Sequence, residues 1–134
     1  MTATTAVLLY AAWTLLLPIV YAGIRVPMIA SRRKRADHWE RNKLSDDPPL
    51  LIRAKHAHFN CVENLAVFAA VVIIGVLLGK HAIVDALAPY VLYARLAQSI
   101  VHMTGTSLPQ IALRGLFYGI QVVLIFTMIV GLLR

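Results

Sequence analysis

Four long apolar runs, interrupted by one substantial polar stretch, constrain this chain more than any other feature. They cover about residues 6–28, 50–78, 85–103 and 109–133. A run of ~20 apolar residues is long enough to cross a bilayer as a helix, and lipid tolerates only segments that satisfy their own backbone hydrogen bonds. The expectation is an all-α integral membrane protein, a four-helix bundle running up-down-up-down as a single domain over 1–134. Only 14% of the residues are charged and 60% are apolar, where a soluble domain carries about 25% charged residues. Nothing is left over for a separate soluble domain.

Local signals mark the helix ends. Helix one contains Pro18, expected to bend it, and Gly23. It has no basic flank before it and no Ala-x-Ala site after it, which argues against a removed signal peptide. Asp46-Asp47-Pro48-Pro49 reads as a helix start, with acidic residues near the positive dipole end and prolines suited to a first turn. Gly79 is a natural terminator for helix two. Asp85 and Pro89 are read as the start of helix three. Thr104-Gly105-Thr106-Ser107 breaks the chain before helix four, with Ser107 as cap and Pro109 in the first turn.

The net charge of +7 is unevenly placed, with six of thirteen basic residues (Arg32, Arg33, Lys34, Arg35, Arg41 and Lys43) in the stretch from Ser31 to Pro49. That distribution reads as membrane topology rather than as a nucleic-acid footprint. It places the first loop in the cytoplasm and both termini on the opposite side, with anionic lipid head groups as neighbours of the loop. The single Cys61 cannot form an internal disulfide and reads as a small buried apolar residue.

Polar residues within the spans form stripes. At roughly 100° per residue, Arg53, His56, Asn60, Glu63 and Asn64 share one face of helix two, and His58 points nearly the other way. Arg95, Gln98, Ser99 and His102 share a face of helix three, and Arg114, Tyr118 and Gln121 make a stripe on helix four. Arg25 lies near the end of helix one, where it either snorkels to the interface or turns inward. The up-down order brings Arg25, Arg53, His56, Asn60, Glu63, His102, Arg114 and Tyr118 into the cytoplasmic half, with Arg95 deeper.

A carboxylate well inside an apolar span usually faces a bundle interior and a partner. Two readings of the residues stay open. In one, Glu63 neutralises Arg53 or Arg95 and the other arginines snorkel. In the other, four arginines against one glutamate ask for an anionic ligand, and convergent guanidinium forks suit a small molecule with more than one carboxylate. A metal site is disfavoured because His56 and His58, two apart on a helix, do not face each other. No Ser-His-Asp set or glycine-rich phosphate loop is present.

The segment Arg53–Phe68, RAKHAHFNCVENLAVF, resembles the signature of the MAPEG family, membrane-associated proteins of eicosanoid and glutathione metabolism. The matching residues are Ala57, His58, Asn60, Glu63, Asn64 and Phe68, and the likeness extends to Arg95, Arg114 and Tyr118 in order. The resemblance implies a homotrimer of four-helix subunits with glutathione, as co-substrate, bound between neighbours. It implies roles in holding glutathione for Arg25, Arg53, Asn60, Glu63 and Arg95, with His56, His102 and Tyr118 at neighbouring positions of the site. Arg114 is implicated in activating the thiol. His56 stands where well-studied members have arginine, and His102 where several have tyrosine.

The implied activity is a glutathione-dependent transferase or peroxidase acting on hydrophobic electrophiles or lipid hydroperoxides. The alternative is a non-catalytic lipid- or ligand-binding protein of the same fold. Ion conduction fits less well, because the polar stripes stop halfway across.

Overall fold

A computed structural model describes residues 1–40 and 46–134. Arg41 and Lys43 of the basic stretch lie outside the described residues. The architecture is all-α: α1 spans Ala3–Ala30, α2 Pro49–Leu77, α3 His81–Thr104 and α4 Leu108–Leu133, with a 3-10 turn at Ala36–Trp39 between α1 and α2. Among the described residues there is no strand.

Up-down-up-down order is visible in the contacts at both ends. The Ala3 amide at the start of α1 donates to Asp85 Oδ1 near the start of α3, at 2.6 Å. Lys80 Nζ, just before α3, reaches the Leu132 carbonyl at the end of α4, at 2.8 Å. At the other end, Arg53 Nε near the start of α2 donates to the Met103 carbonyl at the end of α3, at 2.9 Å. Carbonyls of a helix's last turn lack intrahelical donors, and a cation there also complements the dipole.

The turn joining α2 to α3 is closed by Gly79, whose φ of 69° is left-handed. The Gly79 amide donates to the Val76 carbonyl and the Lys80 amide to the Gly75 carbonyl, at 3.0 and 2.9 Å. This is the paired Schellman closure, for which glycine carries no Cβ penalty. At the start of α4, Gln110 Oε1 accepts from the Ser107 amide at 2.9 Å, and Pro109 occupies the first turn.

Helix three begins earlier than residue 85. It starts at His81, and Pro89 lies inside it. The reason is tertiary: the Asp85 carboxylate caps α1 rather than its own helix. Pro89 removes one backbone donor without ending the element. Pro18 and Pro27 likewise lie inside a continuous α1.

The burial pattern is that of a molecule solvated by lipid. Leu8, Leu15, Leu77, Val123 and Phe126 are all more than 60% exposed, while Arg95, Gln98, Ser99, His102 and Gln121 are buried. Small residues, among them Ala3, Ala6, Ala54, Ala57, Cys61, Gly75 and Ala88, sit at the buried helix contacts. They let the backbones approach where no aqueous hydrophobic effect presses helices together. α1, α2 and α4 are long and apolar enough to cross a membrane. α3 lies outside that set and turns its polar residues inward.

Candidate functional site

The stripes of α2, α3 and α4 meet at a cleft of about 320 Å³ lined by Asn60, Glu63, Gln98, Ile111, Arg114, Gly115 and Tyr118. Asn60 and Glu63, three apart on α2, form one wall. Arg114 and Tyr118, four apart on α4, form the other, with Gln98 of α3 between them.

Among the described residues, neither Glu63 nor Arg114 has an ion-pair partner. Arg114 Nε is buried without a hydrogen-bond partner. Asn60 Nδ2 lies 3.3 Å from His102 Nδ1, so Asn60 donates to the His102 tautomer that is unprotonated at Nδ1. His56 is exposed and stacks obliquely on His102, with ring centroids 6.2 Å apart. Arg53 is committed through Nε to the α3 terminus. Its other guanidinium nitrogens are not sealed from the surface.

Two arginines lie outside the cleft lining. Arg25 neither snorkels freely nor meets Glu63: it pairs with Asp47 and lies against the Tyr21 and Trp39 rings, 5.0 and 5.3 Å from their centroids. Trp39 Nε1 donates to the other Asp47 oxygen at 2.9 Å. Asp47 thus ties the polar loop back to α1. Arg95 is fully buried with its guanidinium 5.5 Å from the centre of the Tyr10 ring. None of its three guanidinium nitrogens finds a hydrogen-bond acceptor.

On the opposite face of α2, His58 Nδ1 pairs with the Tyr21 hydroxyl at 2.9 Å, a contact between α1 and α2. Cys61 is fully buried, its Sγ 3.5 Å from Ser99 Oγ. Among the described residues no group of three His, Cys, Asp or Glu side chains is arranged to hold a metal ion.

Two side chains enter the site that the sequence reading left unassigned. Gln98 lines the cleft, and Gln121, fully buried behind it, donates to Gln98 Oε1 at 2.9 Å. Both were visible on the polar stripes, but only the meeting of α3 and α4 separates them from ordinary core amides.

The sequence pattern of the MAPEG family matches residues 3–134. The chain belongs to the MAPEG family. With its apolar helices, this makes it an integral membrane protein of a family associated with glutathione and eicosanoid metabolism. No curated protein and no solved structure matches it.

Proposed function

We propose that this MAPEG protein is a glutathione-dependent transferase or peroxidase acting on hydrophobic electrophiles or lipid hydroperoxides that reach it through the bilayer. The observation that carries the reading is the cleft itself. An unpaired carboxylate, Glu63, faces a guanidinium with a buried orphan donor, Arg114, across a space within the ~300–1,000 Å³ typical of small-ligand sites. A zwitterion with carboxylates, an ammonium group and hydrogen-bonding peptides complements both walls, and glutathione has that chemistry.

When bound, glutathione supplies the nucleophilic sulfur. Glu63 is suited to hold the ammonium group, and Asn60 and Gln98 to meet peptide or carboxylate oxygens. Arg114 favours thiolate over thiol at the sulfur, where each pKa unit is worth about 1.36 kcal/mol. Tyr118, one turn beyond Arg114, can donate to the same atom. The apolar rim lets a membrane-dissolved partner approach, so catalysis consists of positioning and thiolate stabilisation.

In this reading the assembly is a homotrimer and the open side of the cleft is completed by a neighbour. That neighbour is the route by which Arg25 and His56, which lie outside the lining of the single-subunit cleft, contribute to binding. Arg53 contributes through its uncommitted nitrogens, and His102 through Asn60. Arg95 acts from the core behind the site. The basic loop faces the cytoplasm and the termini face the other side.

The test is calorimetric titration of the detergent-solubilised protein with glutathione, alongside conjugation of a chlorodinitrobenzene. Saturable binding at millimolar concentration or below, together with conjugation, supports the reading. Absence of both overturns it.

A further inference from the structure

Gln98 lines the cleft and is backed by Gln121, and the amide polarity of this pair is set by the backbone. Gln121 Nε2 donates twice at 2.9 Å, to the Phe117 carbonyl one turn earlier and to Gln98 Oε1. A peptide carbonyl can only accept, so the group facing it must be the NH2 of Gln121; inverted, that amide would set oxygen against oxygen. The choice propagates to the second amide. Gln98 has to turn Oε1 toward Gln121, and its own NH2 is what remains for the cleft. That nitrogen bonds to no described residue and is not among the buried atoms left without a partner, so it is accessible from the cleft. Gln121 is fully buried and lines no part of the cleft, so it can act on a ligand only through Gln98.

We propose that Gln121 is a positioning residue: it transmits the polarity of the Phe117 carbonyl to Gln98 and fixes Gln98 as an N–H donor, so that the cleft selects a co-substrate presenting a carboxylate or peptide carbonyl oxygen there. The identity of the co-substrate rests on the glutathione reading above. The amide polarity does not. A freely turning glutamine would offer donor or acceptor indifferently, and part of any binding preference would be lost in ordering it.

Two measurements test this. In the unliganded wild-type protein, nitrogen-15 labelling of the glutamine side chains in detergent micelles should show the Gln121 NH2 protected from deuterium exchange and the Gln98 NH2 exchanging freely. Gln98→Leu and Gln121→Met assign the two signals. Equal exchange, or the reverse order, overturns the inference whatever the ligand.

The second measurement uses Gln121→Glu, which when ionised has no N–H to offer the Phe117 carbonyl, is repelled toward Gln98 as an acceptor only, and so brings the Gln98 oxygen round to the cleft. The expected result is a rise of about tenfold in KM for glutathione, the scale of one inverted hydrogen bond, with KM for the apolar electrophile unchanged. Gln121→Met, neutral and similar in length, imposes no polarity and should give a smaller rise in the same constant with the fold intact. Equal changes in both KM values and kcat, tracking a fall in Tm, would mean a merely structural role and overturn the proposal. Wild-type protein that binds no glutathione refutes the co-substrate, and the exchange pattern then decides the polarity alone.

Discussion

In the proposed glutathione reading, Arg114 and Glu63 divide the ligand's charges between two walls, which makes their roles separable. Arg114→Ala removes the cation nearest the reacting sulfur and should lower kcat for conjugation by about 10²-fold, the scale of losing one preorganised electrostatic donor. Glutathione binding, measured by calorimetry, should fall by less. Glu63→Gln should weaken glutathione binding about tenfold, because an ion pair with the ammonium group becomes a hydrogen bond to an uncharged amide oxygen. A glutathione analogue lacking that ammonium should bind wild type and Glu63→Gln alike. Discrimination between them would show that Glu63 does not read the amine.

Asp46 gives a residue-scale test outside the membrane. Hydrogen bonds from Lys34 and His38 hold its carboxyl at about 2, below the usual 3.8. A depressed folded-state value contributes stability above the unfolded pKa and loses it as pH falls through the folded one. The anchoring of the 3-10 turn by Asp46 should therefore persist above about pH 4 and fade toward pH 2. In a Trp13→Phe background, Trp39 emission should shift to the red over that window. Asp46→Asn should show part of the shift already at neutral pH, and a variant indistinguishable from the parent would sink the argument.

At the scale of elements, the tightest constraint is where α2 meets α3. A Cβ built on Gly75 overlaps the Val84 Cγ1 methyl and comes within 3.3 Å of Leu132 Cδ2. Val84 is β-branched and fully buried, so it has little freedom to turn aside. Gly75→Ala should destabilise the bundle by about 1–3 kcal/mol as an overpacked contact, seen as a lower Tm in detergent. Adding Val84→Ala should recover part of the loss. Gly79→Ala meets no neighbour, so its cost comes from φ alone, roughly 1–2 kcal/mol, and Val84→Ala should leave it unrepaired.

These elements also show which features were legible before the structure. The ends at Gly79 and Ser107–Pro109 were readable because each is made by bonds among neighbours in sequence. The start of α3 was not, because Asp85 spends its carboxylate on Ala3, eighty-two residues away. Periodicity alone placed Asn60 with Glu63 and Arg114 with Tyr118, and helix order brought the two pairs to one cleft. Arg25 defeated the same reasoning: its partner Asp47 sits in the polar loop, where no helical period reaches.

For the whole molecule, orientation in the membrane decides which compartment feeds the cleft. Arg32, Arg33, Lys34 and Arg35 follow α1 immediately, whereas the opposite end offers Lys80 and Arg134, and basic residues close to span ends are retained in the cytoplasm. Cys61 is the sole cysteine and is fully buried, which leaves the native chain as a quiet background for labelling. In intact cells, a membrane-impermeant maleimide should label Arg134→Cys, and Arg33→Cys only after permeabilisation. The inverse pattern would reverse the topology. Because Arg53 joins the start of α2 to the end of α3, the cleft belongs to the half of the bundle nearer the basic loop. Glutathione is too polar to cross lipid unaided, so in sealed vesicles with the basic loop outward, conjugation should begin at once with glutathione added outside. It should stay negligible with glutathione confined to the lumen, and equal rates from both sides would place the cleft's mouth elsewhere.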